Sequence, residues 1–161
     1  MNEHIHHDKN QWLIHSPALN VTKQWFALEY WEKNNKILGQ SRGRNVTWFV
    51  GESSQPMVLR HYYRGGLIGK LVTDKYWFSG LETTRPYQEY ALLIELEKRK
   101  LPACRVVAAY IEKSGLSYRA DLLMKMVEGG QDLVALMTKA PLADTMWQEI
   151  GETIALFHQH H

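Results

Sequence analysis

The sequence predicts an α+β fold, and three observations predict it. Residues 46–50 and 57–63 are rich in β-branched and aromatic side chains and are separated by a turn, which is the pattern of a β-hairpin. A helix signal follows: Thr83 and Thr84 offer an N-cap, Pro86 suits the first turn, and the pattern runs to about Lys100, where Leu101 and Pro102 stop it. Two further strand-like segments, 105–112 and 116–127, then flank Lys113, Ser114 and Gly115. Hairpin, helix, two strands and closing helices make an α+β order rather than a βαβ repeat.

The remaining elements fit this frame. Residues 1–10, with His4, His6 and His7 among polar neighbours, are expected to be loose. A first helix is expected over 21–34, carrying Trp25, Phe26, Leu28, Tyr30 and Trp31 and ended by Lys33, Asn34, Asn35 and Lys36. Residues 37–45 read as a glycine-containing turn, and 51–56 as the turn of the hairpin. After Gly129 and Gly130, residues 131–138 form a short helix. A last helix is expected to be capped by Asp144 and to turn Met146, Ile150, Ile154 and Phe157 inward.

Composition sets the outer limits. The chain has 161 residues, enough for one ordinary domain or part of a larger one. Its 45% hydrophobic and 22% charged residues exclude a collagen-like, low-complexity or wholly disordered chain. A formal net charge of +2 is too small to argue for nucleic acid; only a local cluster of cations would. The single cysteine, Cys104, excludes an intramolecular disulfide and a cysteine zinc cage, and fits a reducing compartment. No apolar run approaches the roughly 20 residues of a membrane span, and no signal-peptide pattern opens the chain. Six Trp, eight Tyr and four Phe suit either a core or a lipid interface.

Five features carry possible chemistry. The first is the turn with Gly39 and Gly43, where Arg42 and Arg44 add positive charge. It lies between strand-like segments and not before a helix, so a Walker or Rossmann loop fits poorly. A glycine lid over nucleotide phosphates fits better, and a plain hairpin turn fits too. The second is Arg60, a cation at the end of the apolar run Met57, Val58, Leu59. Kinases hold the cation that grips the α/β-phosphates one hairpin after the glycine loop; an exposed strand arginine is the alternative.

The third is Glu89. With Leu92, Leu93, Leu96 and Lys100 it shares one face at helical spacing. A carboxylate heading an apolar face wants a cation, and Arg60 is the candidate partner. The same Glu would also complement a helix dipole. The fourth is the run from Leu123 through Met124, Lys125, Met126 and Val127 to Gly129 and Gly130, an apolar strand entering a flexible joint. The fifth spans Arg60, His61, Tyr62, Tyr63, Arg64, Gly65, Gly66 and Lys70, followed by Lys75, Tyr76, Trp77 and Phe78. It would grip phosphates at a membrane surface, stack on single-stranded nucleic acid, or form a solvated basic loop. The terminal histidines, His158, His160 and His161 with His4, His6 and His7, lack a neighbouring carboxylate cluster, and no nucleophile–base pair is evident.

Together these pieces resemble the lipopolysaccharide kinase family. The matching stretches are residues 39–49, 59–70, 81–90 and 118–122, so the resemblance covers nearly the whole chain. Its most specific parts are Arg60-His61-Tyr62-Tyr63-Arg64-Gly65-Gly66 and Glu82-Thr83-Thr84-Arg85-Pro86. The resemblance implies a protein-kinase-like N-terminal lobe over 1–127, an antiparallel sheet with one packed helix, and the start of a helical C-terminal lobe over 128–161. It implies ATP and Mg²⁺ as cofactors. The implied acceptor is the 4-hydroxyl of the 3-deoxy-D-manno-octulosonic acid (Kdo) sugar on lipid A precursor, at the cytoplasmic face of the Gram-negative inner membrane. An anionic membrane surface is an implied partner, and nucleic acid is not.

Carried over by position, Gly39, Gly43, Arg44 and Thr47 belong to the phosphate-covering loop. Arg60 is the phosphate cation and Glu89 its helix partner. Met124 is the gatekeeper, and the backbone of Lys125, Met126 and Val127 is the hinge that meets adenine. His61, Arg64 and Lys70 would handle substrate phosphates. The loop departs from the family at Asn45, where glycine is expected; Asn tolerates left-handed φ better than most residues. The larger departure is that the family's catalytic Asp stretch and Asp-Phe-Asp metal site find no counterpart before His161. Phosphoryl transfer needs both, so little turnover is expected of these 161 residues alone, and an uncovered apolar face on the last helix. The alternative from a different class is a non-catalytic module binding anionic lipid or nucleic acid through Arg60, Arg64, Lys70 and Lys75.

Overall fold

The computed structural model describes residues 4–42, 46–64 and 74–160. Eight strands form one sheet: β1 (His4–Asp8), β2 (Gln11–His15), β3 (Ile37–Arg42), β4 (Val46–Glu52), β5 (Gln55–His61), β6 (Tyr76–Trp77), β7 (Val106–Ser114) and β8 (Ser117–Lys125). Among the described residues four helices accompany them: α1 (Leu28–Lys33), α2 (Arg85–Lys98), α3 (Leu133–Met137) and α4 (Asp144–Gln159). The sheet runs in the order β1-β2-β7-β8-β5-β4-β3, with β6 on the outer half of β8, and every pairing is antiparallel. The fold is α+β, as the order of signals predicts, and is compatible with a kinase-like N-terminal lobe.

Alternation along the strands sorts the core into two layers. On one face Ile14, Ala109, Ile111, Tyr118, Ala120 and Leu122 pack against Tyr90 of α2. On the other, Leu13, Val50, Leu59, Ala108 and Leu123 pack against Val21 and Trp31. A bulge between Val106 and Ala108 places the consecutive residues Val107 and Ala108 in the same layer, which strict alternation forbids. Gly51 closes the end of β4 with φ +106°, and a Cβ there would lie 3.1 Å from the Gln55 carbonyl oxygen and from Met57 Cε. Only glycine tolerates both conditions.

Several sequence expectations are corrected here. Residues 4–8 form a strand: β1 pairs along its whole length with β2, from His4 opposite His15 to Asp8 opposite Gln11. A single strand with polar residues shows little pattern, and cross-strand pairing supplies the missing partner groups. The expected helix over 21–34 is instead a 3₁₀ turn at Lys23–Phe26 and the short α1. Ala27 is extended between them (φ −98°, ψ 123°), and the Trp25 carbonyl accepts the Trp31 indole N–H at 2.7 Å. That break lets Phe26 stack on Tyr110 while Trp31 is buried. The glycine turn over 37–45 is a strand as far as Arg42.

The helices also differ from expectation. The buried side of α2 is Pro86 and Tyr90, with Tyr87, Leu93 and Ile94 packed on the same cluster, whereas Leu92 is 57% exposed. The face is thus rotated from the one that groups Glu89 with Leu92 and Lys100, because Pro86 and Tyr90 seat the helix. Ala143, not Asp144, occupies the N-cap of α4, and Asp144 lies in its first turn. Met146 and Ile154 are exposed, while Ile150 and Phe157 are half-buried. No element among the described residues covers that face. No described helix is long and apolar enough to cross a membrane.

Candidate functional site

The register of four strands builds one face of the site. Gly39 lies opposite Phe49, and Thr47 opposite Arg60; Phe49 then faces Val58, Val58 faces Met124, and Arg60 faces Leu122. Directly paired residues share a side of the sheet, so Gly39, Thr47, Phe49, Val58, Arg60 and Met124 lie side by side. Thr47, Phe49, Val58, Arg60 and Met124 are each half-buried, whereas Val50, Leu59 and Leu123 on the reverse side are buried. The α2 side of this region is therefore only partly covered.

Arg60 reaches from this face to α2. Its Nη2 lies 2.6 Å from each carboxylate oxygen of Glu89, and 3.2 Å from the Tyr62 hydroxyl. That hydroxyl in turn donates to Glu89 Oε2 at 2.5 Å. Burial opposes the positive charge, but hydrogen bonding to Glu89 and its negative charge outweigh it and hold the guanidinium pKa above its ordinary value. Burial and the Glu89 contact raise the Tyr62 phenol, which stays a neutral donor. Among the described residues no hydrogen bond engages Nε or Nη1 of Arg60, so half the fork remains for a ligand. Tyr62 is the member of this triad that sequence reasoning missed; its place two residues beyond Arg60, on the same side of the strand, is the signal for it.

The joint after β8 is partly committed. The Lys125 N–H donates to the Arg105 carbonyl at 2.8 Å, and the Met126 N–H to the Pro56 carbonyl at 2.9 Å. Lys125, Met126 and Val127 are exposed. A cavity of about 400 Å³ near this joint lies on the reverse side of the sheet, lined among others by Trp25, Trp31, Met57, Val107 and Met126. It is separated by the sheet from Arg60 and Glu89.

The basic block divides. His61 points to the opposite face from Arg60, with Nδ1 at 2.8 Å from Asp121 Oδ1 and Nε2 at 3.5 Å from Asp74 Oδ2. The hydrogen bond to Asp121 raises the imidazole pKa, against the effect of burial. Burial raises the Asp121 carboxyl pKa, and His61 only partly offsets it. Arg64 donates to the Lys75 carbonyl at 3.2 Å and lies over the Tyr76 ring. Asp121 lies in the 118–122 stretch that carries the resemblance but had no role assigned there, and Asp74, between Thr73 and Lys75, carried no sequence signal. Gly43, Arg44 and Lys70 lie outside the described residues. Among the described residues, no group of three His, Cys, Asp or Glu side chains is placed to hold a metal ion.

Residues 28–161 match the family model described as lipopolysaccharide kinase (Kdo/WaaP) family. The chain belongs to that family. It is 45% identical over 130 residues to a Vibrio cholerae protein named 3-deoxy-D-manno-octulosonic acid kinase, covering 81% of this chain and 55% of the relative. A Vibrio parahaemolyticus protein of the same name is 43% identical over 153 residues, covering 94% and 64%. One from Haemophilus influenzae is 38% identical over 162 residues, covering 96% and 67%. The chain thus spans between about half and two thirds of the length of these kinases. No solved structure matches it.

Proposed function

We propose that this chain is the nucleotide-binding part of an ATP-dependent kinase that phosphorylates the 4-hydroxyl of Kdo on a lipid A precursor. The observation that carries the reading is the Arg60 fork: one nitrogen is fixed by Glu89 and Tyr62, and the rest bonds to no described residue on a half-covered face beside Gly39 and Thr47. A guanidinium held this way is pre-oriented for phosphate oxygens, so less side-chain entropy is lost when a nucleotide binds. Val58, Phe49 and Met124 give an adenine ring a half-buried apolar bed on the same side. Since the Lys125 and Met126 amides are already bonded, the Val127 amide is the hinge donor left for the adenine edge.

ATP would supply the phosphoryl group and Mg²⁺ would neutralise its charge. The described residues offer no carboxylate cluster for the metal, so no step through it is assigned to them. Residues 1–127 act as the nucleotide lobe and 128–161 as the first part of a helical one. The acceptor is lipid-linked, which places the reaction at the cytoplasmic face of the inner membrane. His61, enclosed by two aspartates, serves the substrate less directly than Arg64.

The test is thermal unfolding with and without ATP and MgCl₂. A ligand that binds the folded state raises its stability by mass action. The midpoint should rise with nucleotide, and Arg60→Ala should remove most of that rise. No rise in the unsubstituted protein would overturn the nucleotide reading. Robust Kdo phosphorylation by this chain alone would show that the catalytic groups lie within it.

A further inference from the structure

The end of the sheet farthest from residues 125–127 carries chemistry that nucleotide binding does not use. There β6 pairs with the start of β8, Tyr76 opposite Tyr118 and Trp77 opposite Ser117. The Phe78 N–H donates to the Leu116 carbonyl at 3.0 Å, which ties this segment to the β7–β8 turn. Two large apolar side chains at this end of the sheet stand in water: Trp77 on β6 is 68% exposed and Leu116 in the β7–β8 turn is 67% exposed. Nothing in their own packing requires either to be apolar.

Cations lie at the same end of the sheet. A cavity of about 250 Å³ at this end is lined by Lys75, Lys113 and Arg119 together with the hydroxyl-bearing Ser114 and Ser117. Arg119 is already paired with Asp74 at 2.7 Å, and Glu112, the one carboxylate among the described lining residues, accepts a hydrogen bond from Gln11. No ion pair among the described residues engages Lys75 or Lys113; Lys113 Nζ sits 4.9 Å from the Phe78 ring. Arg64 and Arg85 add charge nearby, both over the Tyr76 ring. An exposed indole and an exposed aliphatic side chain at a sheet end that also carries cations match the boundary of an anionic bilayer, where Trp prefers the headgroup level and Lys meets lipid phosphate. A nucleic-acid strand would use the cations but give Leu116 nothing to stack on.

We infer that this sheet end is the surface by which the protein rests on an anionic phospholipid bilayer. Trp77 and Leu116 enter the headgroup region, and Lys75 and Lys113 meet lipid phosphates. This deepens the membrane part of the proposed function and rests on it, and it names the face. It also sets the scale of the encounter. From Leu122, opposite Arg60, to Tyr118, opposite Tyr76, β8 advances four residues, or about 13 Å. The nucleotide phosphates are thereby held within a short reach of the lipid surface.

The test is co-sedimentation with vesicles of phosphatidylcholine alone and of phosphatidylcholine mixed with phosphatidylglycerol. The protein should bind only the mixed vesicles, and less as salt is raised. The double substitution Trp77→Ala with Leu116→Ser should weaken binding about tenfold, and Lys75→Gln with Lys113→Gln should do likewise and flatten the salt dependence. Thermal midpoints of both variants should match the parent, since these side chains lie at the surface. Absence of binding to the mixed vesicles overturns the membrane reading and this inference together. Binding that both variants retain overturns this face alone. Binding to a single-stranded oligonucleotide as tight as to the vesicles, and lost in the same variants, makes the surface a nucleic-acid one and overturns the inference. ATP stabilisation, measured separately, should be the same in both variants.

Discussion

Helices α2 and α4 are alike in length, 14 and 16 residues, and α4 is the more sharply amphipathic. Yet α2 buries Pro86 and Tyr90 against the sheet, whereas α4 buries no residue. The difference lies in what each is given to pack on. The Arg85 N–H donates to the Tyr118 hydroxyl at 3.1 Å, and Tyr90 sits in the cluster with Ile111, Ala120 and Leu122. α4 is tied back by the Arg99 guanidinium donating to the His160 carbonyl. Apolar periodicity says that a helix face seeks cover. It does not say that cover is present.

The largest effect that would sharpen this contrast is at Tyr90, which is 1% exposed. Tyr90→Ala should cost about 3–5 kcal/mol in chemical denaturation, since it empties an aromatic-sized space in the core. A cost near zero would mean that α2 does not dock as described. Next is Arg60→Ala, which leaves the Glu89 carboxylate and the Tyr62 hydroxyl without their shared partner. Because the pair is partly solvated, about 1–2 kcal/mol is expected, with loss of ATP stabilisation. Glu89→Gln should keep more stability but weaken the nucleotide effect, since the fork is no longer held by charge.

A smaller effect is expected in the pH dependence of stability. Both His61 and Asp121 have folded pKa values raised above their ordinary ones, so the native state binds more protons than the unfolded chain. The stability that the raised His61 contributes is present below the ordinary histidine pKa and is lost as pH rises through the folded value, while the Asp121 contribution begins to be lost from the ordinary carboxylate range upward. Thermal midpoints measured from pH 6 to 8.5 should fall, and His61→Gln should flatten that slope. A slope unchanged by the substitution would show that Asp74 and Asp121 do not share a proton-bearing histidine. The smallest effect belongs to α4. Ile154, 52% exposed, should tolerate Ser within about 0.5 kcal/mol. A larger loss would reveal a partner for this face that the described residues do not show.

Much of the site was legible because its parts are locally encoded. Arg60 closes an apolar strand, Glu89 heads a helix with Pro86 in its first turn, and the family blocks surround both. Tyr62 was missed because a phenol two residues along a strand reads as one more aromatic until the carboxylate is in place. The His61 enclosure was unreadable for a different reason: Asp74 and Asp121 lie 13 and 60 positions away in sequence, and only the pairing of β5 with β8 brings Asp121 opposite. β1 was missed because His4, His6 and His7 carry no apolar alternation. Its stability comes from bonds to β2, which are non-local information.

The sequence by itself determined the β4–β5 and β7–β8 hairpins, the α2 start, the family and the pairing of Arg60 with Glu89, since these depend on periodicity, turn residues and short motifs. Tertiary structure alone decided which residues share a face of the sheet. It decided that Arg60 spends one nitrogen on Glu89 while its others bond to no described residue, that His61 turns away from it, and that Trp77, Leu116, Lys75 and Lys113 gather at one end of the sheet. Strand register and bulges set those meetings, and register is fixed by the packing of the whole sheet, a sum over distant contacts that no local stretch of residues contains.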